Sequence, residues 1–157
     1  MEVKGVNPET GEKYQSNSDK IDSTFLKYLM DFSVSDDDVK RLIDKLDVSA
    51  DIKSLLFSFS KATINAGEHI IKIGKKIIDV VFTMTKEFPA ATFGIIFGAI
   101  VGFLVSSIPI LGIVLGPIFT PIAMVIGLVG GLSEDIKDKN LVRKIKEATA
   151  TFSPLNA

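Results

Sequence analysis

Three consecutive aspartates, Asp36, Asp37 and Asp38, form the densest cluster of metal-capable ligands in the chain. A calcium loop needs oxygen ligands at alternating positions, a glycine at its sixth position and a closing glutamate, and the residues after Asp36 supply none of these. Preceded by Ser35, the same acids read instead as a helix start. Ser35 accepts from the amide of Asp38, and the carboxylates suit the positive end of the helix dipole. The only histidine, His69, adjoins Glu68; as a functional group it would be a pH-sensitive switch, as a structural one a surface residue. With no second histidine and no cysteine, neither a transition-metal set nor a serine–histidine–acid arrangement can be assembled. No Walker-type or dinucleotide glycine loop is present either. The expectation is a chain that is not an enzyme and carries no cofactor or metal.

Two other groupings carry physical rather than catalytic chemistry. Gly94, Gly98 and Gly102 are spaced by four and would line one ridge of a helix, where a second backbone can approach closely. Gly127 and Gly131 repeat that spacing, although Gly130-Gly131 reads equally as a helix C-cap. The second grouping is a charged strip, Lys72, Lys75, Lys76, Asp79 and Lys86, on a segment otherwise rich in apolar residues. It is expected to face a membrane interface or the water inside a ring of subunits.

The elements that would position these residues follow from periodicity. Residues 1–20 are polar and rich in turn formers, notably Asn7-Pro8-Glu9-Thr10-Gly11-Glu12, and read as a mobile arm. Ile21, Phe25, Leu29 and Phe32 mark a short amphipathic helix over about 22–32, and Val39, Leu42, Ile43 and Leu46 form the apolar face of the helix that Ser35 begins. The reading assigns residues 21–60 to amphipathic helices that offer a surface for a protein partner. A third helix is predicted from about Ala50 to Phe88, with its stretch over 61–88 lying close to a membrane. Ile52, Leu55, Phe59, Ala66, Ile70, Ile73, Ile77, Val81 and Met84 hold a helical period there, and Ile64, Ile71 and Ile78 add a row at sevens. Pro89 ends it.

The dominant feature lies between Glu87 and Glu134, where no charged residue occurs. Hydrophobic residues make up 46% of the chain, an ordinary share, so it is their concentration here that is informative. A membrane crossing needs roughly 20 apolar residues for ~30 Å of hydrocarbon, and residues 89–132 hold enough for two passes. Ser106, Ser107 and Pro109 mark the turn between them, because the hydroxyls satisfy local backbone and proline breaks the helix. Gly112, Gly116, Pro117 and Pro121 interrupt the second pass. They imply either a kinked helix beside an aqueous path, or a wide turn over about 109–117 followed by a short helix to 132. Ser133 with Glu134 and Asp135 opens a C-terminal amphipathic helix within 133–157.

The predicted fold is therefore all-α: an integral membrane hairpin preceded by a long amphipathic helix and short cytoplasmic helices. Acids outnumber bases over residues 1–60, and bases outnumber acids over 61–87 and 134–157. Basic flanks on both outer ends of the hairpin put both termini in the cytoplasm. The polar start shows no signal peptide. A net charge of −1 gives no case for nucleic acid. The layout over 61–132 resembles, in pattern and without a shared motif, the hydrophobic hairpins of α-helical pore-forming toxins. The expected partners are a lipid bilayer and further copies of the chain. The function this reading puts first is an oligomeric pore or channel formed through the glycine-rich hairpin, and the alternative is a non-conducting hairpin-anchored scaffold or assembly component. A pore-forming protein that stays soluble until triggered ranks last, because the residues outside the hairpin leave little chain to wrap so long an apolar run.

Overall fold

The computed structural model describes residues 1–125 and 138–156. Its first elements are strands. β1 (Glu2–Val6) and β2 (Lys13–Asn17) pair antiparallel around the Asn7–Glu12 loop. The Asn7 side chain accepts from the amides of Glu9 and Thr10, and Gly11 takes a φ of 75°, a left-handed conformation that glycine adopts without strain. The residues expected to form a mobile arm are thus the turn chemistry of a hairpin.

Three helices follow: α1 (Ser23–Met30), α2 (Asp36–Asp44) and α3 (Ala50–Ser60), opened by Asp22, Ser35 and Ser49. Each capping side chain accepts an amide N–H of the first turn. Ser35 and Asp38 complete the reciprocal box. The helix expected to run from Ala50 to Phe88 is broken after Ser60. In its middle stand β3 (Ile64–Ala66) and β4 (His69–Ile71), joined by Gly67-Glu68 with Gly67 at φ 58°. β1 pairs with both β2 and β3, giving one sheet in the order β2-β1-β3-β4. The all-α expectation is corrected accordingly: the fold is mostly helical with a four-stranded antiparallel sheet.

α4 (Ile73–Glu87) leads to the uncharged pair α5 (Phe93–Ser107) and α6 (Pro109–Val125), and α7 (Lys139–Ala150) begins at Asp138. Ser133, Glu134 and Asp135 lie outside the described residues. α5 and α6 pack on each other at the centre. α6 is covered by β1 and α3, while α5 is covered by α4 and α7. Aromatic rings fill the junction: Phe97 lies 5.1 Å from Phe59, 5.5 Å from Phe93 and 5.9 Å from Phe119 between centroids. The C-terminal residues close the far side, with Phe152 and Leu155 buried and the Ser18 hydroxyl donating to the Pro154 carbonyl at 2.7 Å.

This arrangement overturns the membrane-spanning expectation. Among the described residues no helix is long and apolar enough to cross a membrane. At 15 residues, α5 extends only about 22 Å, short of the ~30 Å core; α6 is described over Pro109–Val125. Transmembrane helices, an integral-membrane location and an orientation with both termini cytoplasmic are corrected on that ground. The physical reason is cover: over its described residues, much of the uncharged stretch is packed against protein. α5 and α6 hide much of each other's surface, and β1, α3, α4 and α7 share most of what remains.

Candidate functional site

The hairpin turn falls where the serines and proline place it. α5 ends at Ser107 and α6 begins at Pro109, and the Ser106 hydroxyl donates to the Gly102 carbonyl at 2.6 Å. The wide turn over 109–117 is not formed; residues 109–125 are one helix with Pro117 and Pro121 inside it. Both prolines sit on its half-buried flank, and Thr120 donates to the Gly116 carbonyl at 2.9 Å.

The glycines divide by what surrounds them. A Cβ at Gly112 would stand 2.7 Å from the Val105 carbonyl oxygen, so Gly112 is what allows α5 and α6 to meet at the turn. Gly116 has room, with Val105 Cγ1 at 3.7 Å. In the ridge, Gly98 is buried, Gly94 and Gly102 are half-buried, and a Cβ at Gly102 would make only an ordinary contact with Phe119 at 3.8 Å. Gly127 and Gly131 lie outside the described residues. The closest backbone approach involves a glycine the spacing argument passed over. At Gly74 a Cβ would collide with the Phe59 carbonyl, locking the start of α4 against the end of α3. Gly5 plays a similar part in β1, where a Cβ would lie 2.5 Å from Val114 Cγ2 on α6.

The charged strip is not an open one. Lys75, Lys76 and Asp79 are all buried, because the chain from Tyr28 to Asp36 lies across them. Lys75 reaches Asp36 at 2.9 Å and stacks its ammonium 4.2 Å from the Phe32 ring centroid. Lys76 donates to the Asp31 carbonyl at 2.6 Å and sits 4.2 Å from the Tyr28 ring. Burial pushes the Lys76 amine below its ordinary range, with Asp79 and Asp31 acting in the opposite sense. Asp79 accepts from the Ser33 amide at 2.9 Å, while its other carboxylate oxygen is buried without a partner among the described residues. Lys72, at the N-cap of α4, is exposed and lies 3.5 Å from Asp36; Lys86 is exposed in the last turn. The first four residues of the strip are therefore a polar latch joining α4 to the connection between α1 and α2, and Lys86 stands apart. The Lys75 and Lys72 ammoniums hold the Asp36 carboxyl below its usual range. Sequence reasoning missed Asp36 as the latch's outer acid, since its role in starting α2 accounted for it fully.

One property of the hairpin is not explained by burial. Its exposed positions are Phe103, Ser106, Pro109, Thr120, Met124 and Val125. A water-facing position on a helix ordinarily carries a charged or strongly polar side chain. Here Phe103 is 53% exposed, Met124 71% and Val125 67%. His69 is exposed on the edge strand β4 and contributes to neither the latch nor the hairpin. Among the described residues no group of acids or histidine is placed to hold a metal ion. Comparison with protein-family models, with curated proteins and with solved structures finds no match for this chain.

Proposed function

We propose that this chain is a non-catalytic, membrane-perturbing protein of the triggered kind, in which the α5–α6 hairpin is kept covered and is surrendered to a lipid surface when the shell opens. The observation that carries this reading is the absence of charge at every exposed position of the hairpin. Stability in water does not require it, because lysine or glutamate at positions 103, 120 and 124 would stay in contact with solvent. A hairpin that must later enter lipid does require it, since a charged side chain in hydrocarbon costs several kcal/mol. A length of about 22 Å suits α5 to insertion at the surface of a bilayer without crossing it. The pore and the scaffold both call for a hairpin already in lipid; the covered hairpin favours the triggered reading over them.

The chain contains no tryptophan and no cysteine, which makes the test clean. Phe119, buried on α6, is replaced by tryptophan in a chain that also carries Gly5→Cys and Val114→Cys. Cysteine at 114 removes the methyl that a Cβ at position 5 would strike, so the two positions lie within bridging reach. With phosphatidylglycerol vesicles bearing brominated acyl chains, the reduced protein should show quenched emission from the introduced indole. The oxidised protein should not. Unquenched emission and no co-flotation with vesicles from neutral to acid pH would remove the proposal.

A further inference from the structure

A separate feature lies on the outer side of the latch. A cleft of about 580 Å³ opens between α2, the end of α3 and the start of α4. Four lysines line it: Lys40 on α2, Lys61 at the C-cap of α3, Lys72 at the N-cap of α4 and Lys75 in its first turn. The only acid in the lining is Asp36, so its formal charge is +3 (four ammoniums less one carboxylate) within a chain of net charge −1. Asp36 is divided between Lys72 and Lys75. Lys40 and Lys61 form no ion pair among the described residues.

Bringing four cations to one concave surface is unfavourable unless an anion occupies it, because low-dielectric walls strengthen their repulsion. Lys75 is more than nine-tenths buried and fixed, so this is not simply a fringe of free surface lysines. We infer that the cleft binds a phosphomonoester whose phosphate sits among Lys40, Lys61, Lys72 and Lys75 and whose remainder rests on Phe57 and Val39. Ammoniums serve a compact, multiply charged phosphate as point charges, whereas a planar carboxylate is better matched by a guanidinium fork, and no arginine lines the cleft. The Thr63 hydroxyl adds hydrogen-bonding capacity, whereas that of Ser60 is already donated to the Phe57 carbonyl at 2.7 Å. The start of α4 contributes its positive dipole end, which has no capping side chain. Phe57 and Val39 give the cleft an apolar wall that a bare phosphate ion would leave unused. A long polyanion is disfavoured, since Asp37 and Asp38 stand on α2 beside the cleft and Asp51 lies in the first turn of α3. This inference does not depend on the fate of the hairpin.

A phosphomonoester could be presented by a free metabolite or by a lipid headgroup, and two arms of one experiment separate them. Phenyl phosphate is titrated into the intact protein by calorimetry, with inorganic phosphate and phenylacetate alongside. In parallel, co-sedimentation is measured with phosphatidylcholine vesicles with and without phosphatidic acid. Saturable binding of phenyl phosphate, tighter than inorganic phosphate and absent for phenylacetate, is the result expected of a soluble ligand. Recruitment by phosphatidic acid alone assigns the lipid source. In either arm Lys61→Gln and Lys72→Gln, both at exposed positions that leave the core untouched, should each weaken binding about tenfold, as loss of one charge-assisted contact implies. Lys27→Gln on α1 should change nothing. No binding in either arm, or binding unaltered in both cleft variants, overturns the inference.

Discussion

Replacing Gly74 by alanine should destabilise this protein, although alanine is the better helix former. Gly74 lies in the first turn of α4, where the propensity gain from glycine to alanine is about 1 kcal/mol. Against that, the new methyl would overlap the Phe59 carbonyl oxygen, with the carbonyl carbon at 2.9 Å and Ala62 Cβ at 3.4 Å. The obstacle is backbone, so no rotamer change relieves it. α3 and α4 must part, stretching the Gly74 amide bond to the Ala62 carbonyl, now 3.1 Å. Overpacking of this kind costs about 1–3 kcal/mol and a weakened buried hydrogen bond about 1 kcal/mol more; less the propensity gain of about 1 kcal/mol, the net loss is about 1–3 kcal/mol. In a chain this size, that is a fall in Tm of about 2–12 °C. Gly102→Ala is the internal control. Its nearest neighbour would be Phe119 Cζ at 3.8 Å, an ordinary contact, so propensity should prevail and stability rise by about 0.5–1 kcal/mol. Equilibrium urea unfolding followed by circular dichroism measures both. If Gly74→Ala matches the parent, or Gly102→Ala loses as much as Gly74→Ala, the packing argument is refuted.

Two further outcomes concern titration. Burial raises the Tyr28 phenol above its ordinary value of 10.0. A proton held more tightly in the folded state contributes stability that is complete below the unfolded value and is lost as pH rises through the folded one. Tyr28→Phe should therefore flatten the decline in stability above about pH 10, and in a Tyr14→Phe background the tyrosinate absorbance should appear later in the native protein than in urea. For Asp36 the sign is the reverse: its lowered folded pKa gives stability that is present above the ordinary value of 3.8 and is lost as pH falls below it. Asp36→Asn should lack that acid-limb slope, read by urea midpoints across the range. Because Asp36 is largely exposed, the effect should shrink as salt is added.

The cap at Ser35 and the Ser107–Pro109 turn were legible because they act through their own neighbours in sequence; the Asp22 cap, equally local, was passed over. The sheet was not, and Ile64 and Ile71 show why. Seven residues apart, they extend a helical row with Ile78, but they are cross-strand partners of β3 and β4 whose side chains are both buried. A separation of seven fits one helix face and a short hairpin alike. β1 was hidden for another reason. Only Val3 and Gly5 of its five residues are buried, and Gly5 has no side chain to show alternation. The charged strip has Lys75, Lys76, Asp79 and Lys86 on α4 and Lys72 at its N-cap. What covers it, the chain from Tyr28 to Asp36, is a tertiary fact with no local signal. The uncharged run carried the largest inference, and the same pattern suits a lipid environment and a protein-enclosed one.

The central place of β1 bears on how the chain is made. Its neighbours are β2, next in sequence, and β3, which begins at Ile64; its face rests on α6, with Gly5 against Val114. During synthesis β1 therefore emerges about a hundred residues ahead of the helix that roofs it, and at 5–20 residues per second that delay lasts from about 5 to 20 seconds. Until then the β1–β2 ribbon has an open edge and a bare face. Contacts so distant along the chain slow folding. They also leave the outer edge of β1 unpaired until β3 is made, and its Val3–Gly5 face bare until α6 packs on it.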